Sequence, residues 1–306
     1  MNSITFLSPA KVNLTLEVLG KRPDGYHEIE SIIQPINLFD KVKINLEGGE
    51  GIEIESKGLE IPKGEGNLAW RAASLFLKKS GLKFSVKISI EKKIPIGAGL
   101  GGGSSNAAAV LVGMNRLTKK FGEDGLINLS PTLGADAPFF IHSRSALVRG
   151  IGEKLTLIRN FPLFHYVLLN PGFEVSTKRI YELWDEMKDR ELATEGKEIT
   201  EKDYLHKGSM DSAAKSESII SLFRKGNFPL RNDLEEPALS LYPGIRSLKE
   251  RLCSLEAEAV SMTGSGPTVF GVFRDMKKAN VVYEYLRDSA SFKVFLAQGI
   301  SGWHRL

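Results

Sequence analysis

The densest chemistry in the chain lies in Ile94-Pro95-Ile96-Gly97-Ala98-Gly99-Leu100-Gly101-Gly102-Gly103-Ser104-Ser105-Asn106, followed by Ala107, Ala108 and Ala109. Five glycines fall within seven positions. Glycine accepts positive φ and lets backbone amides come close to a ligand. The alanine run has high helix propensity, and Ser104 or Ser105 suits its N-cap. A glycine loop feeding a helix N-terminus offers free N–H groups and the positive end of the helix dipole, a setting for phosphate. A helix is therefore expected over roughly Ser104 to Lys119, with the loop cradling an anion.

Two phosphate patterns fail on these residues. The P-loop needs Gly-x-x-x-x-Gly-Lys-Ser/Thr; Gly97 and Gly102 have the spacing, but Gly103 stands where lysine is required. The dinucleotide pattern Gly-x-Gly-x-x-Gly is met by Gly97, Gly99 and Gly102, and Glu123 follows at about 20 residues, as that pattern asks. Yet Glu123 sits in the turn-like Lys-Phe-Gly-Glu-Asp-Gly, and Pro95 separates the loop from its strand.

Other residues carry chemistry only in company. Lys11 opens a strand after Pro9-Ala10 and alone reads as a solvated charge. Asp136, in Leu133-Gly134-Ala135-Asp136-Ala137-Pro138, alone reads as a turn or capping aspartate. Tyr26-His27 follows the turn Pro23-Asp24-Gly25, and such a pair is most often structural. Asn67 can cap a helix.

The elements that must position these groups follow from periodicity. Residues 3 to 20 read as a strand, with Val12, Leu14, Leu16 and Val18 on one face. Residues 29 to 46 read as a strand pair, and Gly48 to Gly51 as a hairpin turn into Ile52–Glu55. Leu68 to Lys79 has helical spacing, and Phe84 to Ile90 alternates like a strand leading into the glycine loop. Residues 146 to 158 give another hairpin, and the domain boundary is expected near Asn160-Phe161-Pro162.

Beyond it come a buried strand at Tyr166–Asn170, a helix from Ser176, and a charge-dense stretch, 185 to 217, expected as exposed helices and loops. Helical segments at Ile219–Phe223 and Ser247–Leu255 follow, then strands at Glu258–Thr263 and Thr268–Phe273. A helix at Met276–Asp288 and a strand at Phe292–Leu296 finish the chain. Antiparallel hairpins disfavour a doubly wound parallel sheet.

At 306 residues the chain is long enough for two domains. Hydrophobic content of 42% and charged content of 25% are those of a globular protein, and a net charge of +4 gives no basic stripe for nucleic acid. The single cysteine, Cys253, permits no internal disulfide and is expected to be a small buried apolar group. No signal peptide or apolar run of spanning length is present, so a cytoplasmic protein without membrane or nucleic-acid partners is expected.

The loop also fits every fixed position of Pro-x-x-x-Gly-Leu-Gly-x-x-Ser-Ser, and so resembles the ATP loop of the GHMP (galactokinase, homoserine kinase, mevalonate kinase, phosphomevalonate kinase) superfamily. Four further motifs narrow the match: Ser-Pro-Ala-Lys-Val-Asn-Leu at 8–14, Lys-Arg-Pro-Asp-Gly-Tyr-His-Glu at 21–28, Leu-Gly-Ala-Asp-Ala-Pro-Phe-Phe at 133–140 and Met-Thr-Gly-Ser-Gly-Pro-Thr-Val-Phe-Gly at 262–271. With Gly-Leu-Gly-Gly-Gly-Ser-Ser-Asn at 99–106, they resemble the 4-diphosphocytidyl-2-C-methyl-D-erythritol kinase family, in its order and over nearly the whole chain.

That resemblance implies an α+β two-domain GHMP kinase fold. Residues 1–160 would be a ribosomal-protein-S5-domain-2-like domain with the ATP loop and catalytic pair, and 161–306 a ferredoxin-like α+β domain. It implies phosphorylation by ATP of a tertiary hydroxyl on a cytidine diphosphate conjugate of methylerythritol, the 2-hydroxyl, in isoprenoid precursor synthesis. Lys11 and Asp136 would be the catalytic pair, the aspartate taking the alcohol's proton and the lysine holding that aspartate ionised and offsetting phosphoryl charge.

Pro95, Ile96, Gly97, Ala98, Gly99, Leu100, Gly101, Gly102, Gly103, Ser104 and Ser105 would hold ATP, with Asn67 near its base and Mg2+ beside Ser104 or Ser105. Tyr26 and His27 would hold the cytosine ring, Tyr181 its other side, Thr177 the pocket wall and Asn13 the reacting end. The rivals are a kinase of mevalonate or homoserine, against which the Tyr-His pair argues, and a non-catalytic nucleotide- or RNA-binding module, against which Lys11 and Asp136 argue.

Overall fold

The computed structural model describes residues 2–194 and 211–305. The chain opens with β1 (Ser3–Asn13), β2 (Thr15–Lys21) and β3 (His27–Glu47). β3 is one strand of 21 residues, not the strand pair its sequence suggests. It serves as two strands by pairing differently along its length. Its first part meets β2 on one edge and β6 (Ala146–Gly150) on the other. Its later part meets β1 and β5 (Ser85–Lys92).

β4 (Gly51–Gly58) also departs from expectation. It does not fold back on β3 as a hairpin but runs parallel to β5, whose other edge β3 occupies. The glycine turn marks a change of direction; which strand becomes the neighbour is set by non-local packing. β7 (Lys154–Leu157) completes the expected hairpin with β6.

Helices α1 (Leu68–Ser80) and α2 (Gly102–Thr118) cover this sheet. α2 is buried on nearly every side from Ser105 to Met114, as an interior helix should be. Its small residues make that possible: a Cβ on Gly113 would stand 2.4 Å from the Ile44 Cδ1 atom. Phe6, Val42, Ile44, Phe76, Val86, Ile88 and Leu111 form the core between sheet and helices. Each large apolar side chain buried there stabilises the fold by about 1.5–3 kcal/mol. α3 (Glu123–Leu129) and α4 (Ala137–His142) finish this half, with Asp136 at the entrance of α4.

The second sheet is antiparallel, in the order β10 (Ala259–Met262), β11 (Val269–Phe273), β8 (His165–Asn170), β12 (Lys293–Gln298). α5 (Thr177–Thr194), α6 (Asp211–Arg224), α7 (Glu235–Leu241), α8 (Gly244–Cys253) and α9 (Met276–Leu286) complete it. One face of β8 and β11 packs on the first sheet through Val12, Leu14, Ile36, Tyr166, Leu168 and Phe270. The other face packs on helices through Val167, Leu169, Ile180, Leu252 and Phe273.

The later chain also returns to the first sheet: β9 (Arg231–Asn232) runs parallel to β2 and β13 (His304–Arg305) pairs with β1. Apart from β4–β5 and β2–β9, the strand pairs of the described residues are antiparallel.

Two smaller expectations are corrected. Cys253 is exposed, because it ends α8 away from the face that Ile245, Leu248 and Leu252 bury. Of the charge-dense stretch 185–217, residues 195–210 lie outside the described residues; the flanks are helical. Among the described residues no helix is long and apolar enough to cross a membrane.

Candidate active site

The glycine loop enters α2 earlier than the serines suggested. The N-cap is Gly101, with φ of 69° and no side-chain cap, so Ser104 and Ser105 already lie inside the helix. Left-handed backbone lets the chain turn at once into the helix. No side chain fits there: a Cβ would meet the Phe140 ring at 2.8 Å and the Lys11 Cγ atom at 3.2 Å. Ser105 is fully buried, its amide bonded to the Gly101 carbonyl at 2.9 Å and its hydroxyl 2.7 Å from that of Ser8. Ser104 faces the cleft instead, near Gly134.

The loop is seated on a second turn, Gly264-Ser265-Gly266. Thr263 donates from Oγ1 to the Gly99 carbonyl at 3.2 Å, and the Leu100 carbonyl accepts from the Lys11 amide at 3.0 Å. The phosphate-loop backbone is thus tied to β1 on one side and to the β10–β11 turn on the other.

Lys11 follows a bulge between Pro9 and Ala10 in β1 and is 3% exposed. Its ammonium donates to Asn13 Oδ1. Asn13 is held in turn by Ser31 Oγ, which accepts from its Nδ2 at 2.8 Å, and by Thr263 Oγ1, which accepts from its backbone amide at 3.0 Å. Burial lowers the Lys11 pKa, and the negative charge of Asp136 offsets this in part. The Lys11 and Asp136 side chains border the same cleft, and the charge of the one acts on the other. Asp136 makes no side-chain cap to α4, so its carboxylate is not spent on the helix.

At the other end, Asp24 accepts from the Tyr26 amide at 3.1 Å and fixes the turn that presents Tyr26, 60% exposed. The His27 ring stacks on Tyr181, centroids 4.5 Å apart and planes at 26°. The Tyr181 phenol is pushed up by burial and then by the charge of Asp136. Thr177 shares a 2.7 Å hydroxyl–hydroxyl hydrogen bond with Ser265.

These groups line one cleft of about 1080 Å³. That is larger than the roughly 300–1,000 Å³ of a typical small-molecule pocket. Lys11, Asn13, Asp136, Tyr26, His27, Thr177, Tyr181 and Asn67 all face it, as do Pro95 to Gly99 and Gly101 to Ser104. Two expected ATP contacts do not: Ser105, as described, and Leu100, which is 1% exposed in the core. Asn67 caps α1, its side chain accepting from the Ala69 amide at 2.9 Å, and it also borders the cleft.

Three residues on the cleft were missed from sequence. Lys92 is buried beneath the loop, its ammonium 2.7 Å from Asp40 and 2.6 Å from the Ile94 carbonyl; burial lowers its pKa, and Asp40 opposes that. Asn106, 4% exposed, has a buried Oδ1 with no hydrogen-bond partner. Asp185 meets His27 and Lys21. Each reads in sequence as an ordinary polar residue on a strand or helix; only the run Ser-Ser-Asn before the alanines hinted at Asn106.

Family models place this arrangement. The model of the GHMP kinases N terminal domain matches residues 67–144, and that of the GHMP kinases C terminal matches 204–291. The chain is a GHMP kinase, an ATP-dependent small-molecule kinase with the two-domain fold of that class. Relatives named 4-diphosphocytidyl-2-C-methyl-D-erythritol kinase include one from Geobacter sp. (strain M21), 42% identical over 91% of this chain and 92% of its own. Another, from Geobacter sulfurreducens, is 40% identical over 95% and 98%.

A crystal structure of 4-(cytidine 5'-diphospho)-2C-methyl-D-erythritol kinase superposes with a TM-score of 0.77 at 34% identity, covering 97% of this chain and all of that one. Homoserine kinase from Cytophaga hutchinsonii, at 18% identity and a TM-score of 0.68 over 100% of this chain and 98% of its own, shares the fold. Within its class the chain belongs to the 4-diphosphocytidyl-2-C-methyl-D-erythritol kinase family.

Proposed function

We infer that the protein transfers the γ-phosphoryl group of ATP to the 2-hydroxyl of 4-diphosphocytidyl-2-C-methyl-D-erythritol, giving the 2-phosphate and ADP. The observation that carries the site assignment is the shared cleft: a glycine loop at the N-terminus of α2, the Lys11–Asp136 pair and an aromatic end border one space. The Asp136 carboxylate accepts the hydroxyl proton as the oxygen attacks the γ-phosphorus. The bond to the bridging oxygen breaks and ADP leaves. Lys11 offsets the charge on the transferring oxygens, from a dry position where a charge acts strongly. Asn13 orients Lys11 through its Oδ1 and, with one N–H of its carboxamide uncommitted on the cleft, also meets the reacting end of the substrate.

ATP would lie with its phosphates on the amides of residues 95–104 and its base beside Asn67, Ile61 and Leu68. Among the described residues no three His, Cys, Asp or Glu side chains gather to hold a metal. Magnesium would therefore arrive on the ATP phosphates, with Ser104 Oγ and water as further oxygen ligands, and would neutralise phosphate charge.

The cytosine would lie against Tyr26 and Tyr181, in one layer with the His27 ring, so that imidazole and base meet edge to edge. We also divide the chain near residue 160, which separates the two spans matched by the family models. The cytoplasm suits a chain whose only cysteine is unpaired. The test offers the purified protein and ATP the cytidyl conjugate, mevalonate and homoserine in parallel. Phosphorylation of the first alone is expected; transfer to either of the others instead rejects the assignment.

A further inference from the structure

The aromatic end of the cleft holds a carboxylate that the proposed mechanism leaves without a task. Asp185 lies on α5 one turn after Tyr181 and beside Trp184, so one helix face carries all three. Its Oδ1 is 2.7 Å from His27 Nε2, and its Oδ2 accepts from Lys21 Nζ at 2.7 Å. The His27 side chain is 8% exposed and that of Asp185 17%. Tyr181 takes the face of the imidazole, and Trp184 meets it at 5.8 Å with the planes at 89°. His27 therefore cannot turn, and among the described residues its Nδ1 has no hydrogen-bond partner.

An ionised carboxylate only accepts hydrogen bonds. With an ammonium on one oxygen, the other must face an imidazole N–H. We propose that Asp185 is a positioning residue that sets base specificity, holding His27 as the tautomer with hydrogen on Nε2 and a lone pair on Nδ1. A second group that orients a histidine commonly fixes its tautomer in this way. The exposed acceptor matches a pyrimidine with an amino group at C4, which donates. A pyrimidine with an oxo group at C4 would set acceptor against acceptor, a mismatch that rejects the wrong ligand. The inference rests on the reading that His27 meets the edge of the base.

Asp185→Asn gives the discriminating test. Its amide has one acceptor oxygen where the carboxylate has two. Lys21, the stronger donor, takes that oxygen, and the NH2 group turns to His27. The imidazole proton then moves to Nδ1, and Nδ1 becomes a donor. Nitrogen NMR of the full chain, with His27→Gln to assign the signal, reads the tautomer directly. Wild type should show a pyridine-type Nδ1 and a pyrrole-type Nε2, and Asp185→Asn the reverse.

Calorimetry with cytidine diphosphate and uridine diphosphate as probes reads the specificity. The preference for cytidine should fall about 10- to 100-fold in Asp185→Asn, the scale set by one unpaired polar group. ATP binding should stay unchanged, and Asp185→Glu, which keeps two acceptor oxygens, should retain the preference. A wild-type His27 protonated on Nδ1 overturns the proposal, even if no variant folds. An unchanged preference in folded Asp185→Asn, or no preference in wild type, does the same. Cytidine preference without phosphoryl transfer would instead reject the kinase assignment and leave this inference standing.

Discussion

Gly99→Ala forces apart the two turns that form the floor of the cleft. Gly99 has φ of +72°, and a Cβ built on it stands 2.2 Å from the Thr263 carbonyl oxygen and 3.0 Å from that of Gly266. Both obstacles are backbone, so no side chain can swing aside. The left-handed conformation costs an L-residue about 1–2 kcal/mol, and overpacking adds about 1–3 kcal/mol. The sum, about 2–5 kcal/mol, lowers the melting temperature by on the order of 4–20 °C at about 2–4 °C per kcal/mol. Because Thr263 also holds Asn13, and through it Lys11, the displacement reaches the reacting end.

The control is Gly103→Ala. Its Cβ meets only the Leu68 Cδ1 atom at 3.4 Å, an ordinary contact, and it lies within α2. There alanine should be neutral or stabilise by up to about 1 kcal/mol. Thermal melts with and without ATP, together with the KM for ATP, separate the two. Gly99→Ala should melt lower and lose most of its ATP-induced shift, while Gly103→Ala, which lies on the cleft but meets no backbone, keeps the wild-type melting temperature without ATP. A Gly99→Ala protein with wild-type melting and ATP affinity would refute the argued contact between the turns.

Lys11→Met should be at least as stable as wild type at pH 7 yet about 10²–10³-fold slower. The folded pKa of Lys11 lies below the usual 10.5, so the cost of its buried charge is fully present below the folded value and is relieved as pH rises toward 10.5. The variant's stability advantage should therefore shrink over that window, and a variant less stable at pH 7 contradicts the burial argument. Lys92→Met should cost about 3 kcal/mol or more in denaturant melts, since it strands Asp40, fully buried, without its cation. Adding Asp40→Leu should recover much of that loss, and a strictly additive double variant would mean the two groups are not coupled. Asn13→Ala frees the Lys11 ammonium and should lower kcat more than it raises either KM.

Local pattern carried the elements that local forces decide. The helical spacing of Leu68 to Lys79 and the glycine run marked elements that formed, whereas residues 3 to 20, read as one strand with a single apolar face, break at Leu14 into β1 and β2, with Val12 and Leu14 in one core and Leu16 and Val18 in another. β3 was misread because its pairing partners change midway, near a stretch where Pro35 and Asp40 interrupt the apolar pattern. The parallel mate of β4 follows from the order of strands across the sheet, which no turn motif encodes. Lys11 and Asp136 are far apart in sequence, so their common cleft was implied by resemblance and not by spacing. Lys92 and Asp185 carry no signal in the local pattern; burial and a partner distant in the chain give them their roles. Cys253 shows the opposite limit: a residue type that is usually buried ended on the wrong face of α8.

Turnover and ligand binding in Asp136→Asn test the central claim most directly. The substitution keeps the size of the side chain, and the native carboxylate makes no cap to α4 that would be lost. Steady-state transfer from ATP to the cytidyl conjugate should fall by about 10²–10⁴-fold, the usual share of a positioned base. Calorimetric affinity for cytidine diphosphate should stay within a factor of about two, a few tenths of a kcal/mol. Turnover near the wild-type rate, with binding intact, would show that the alcohol's proton goes elsewhere and would contradict the account.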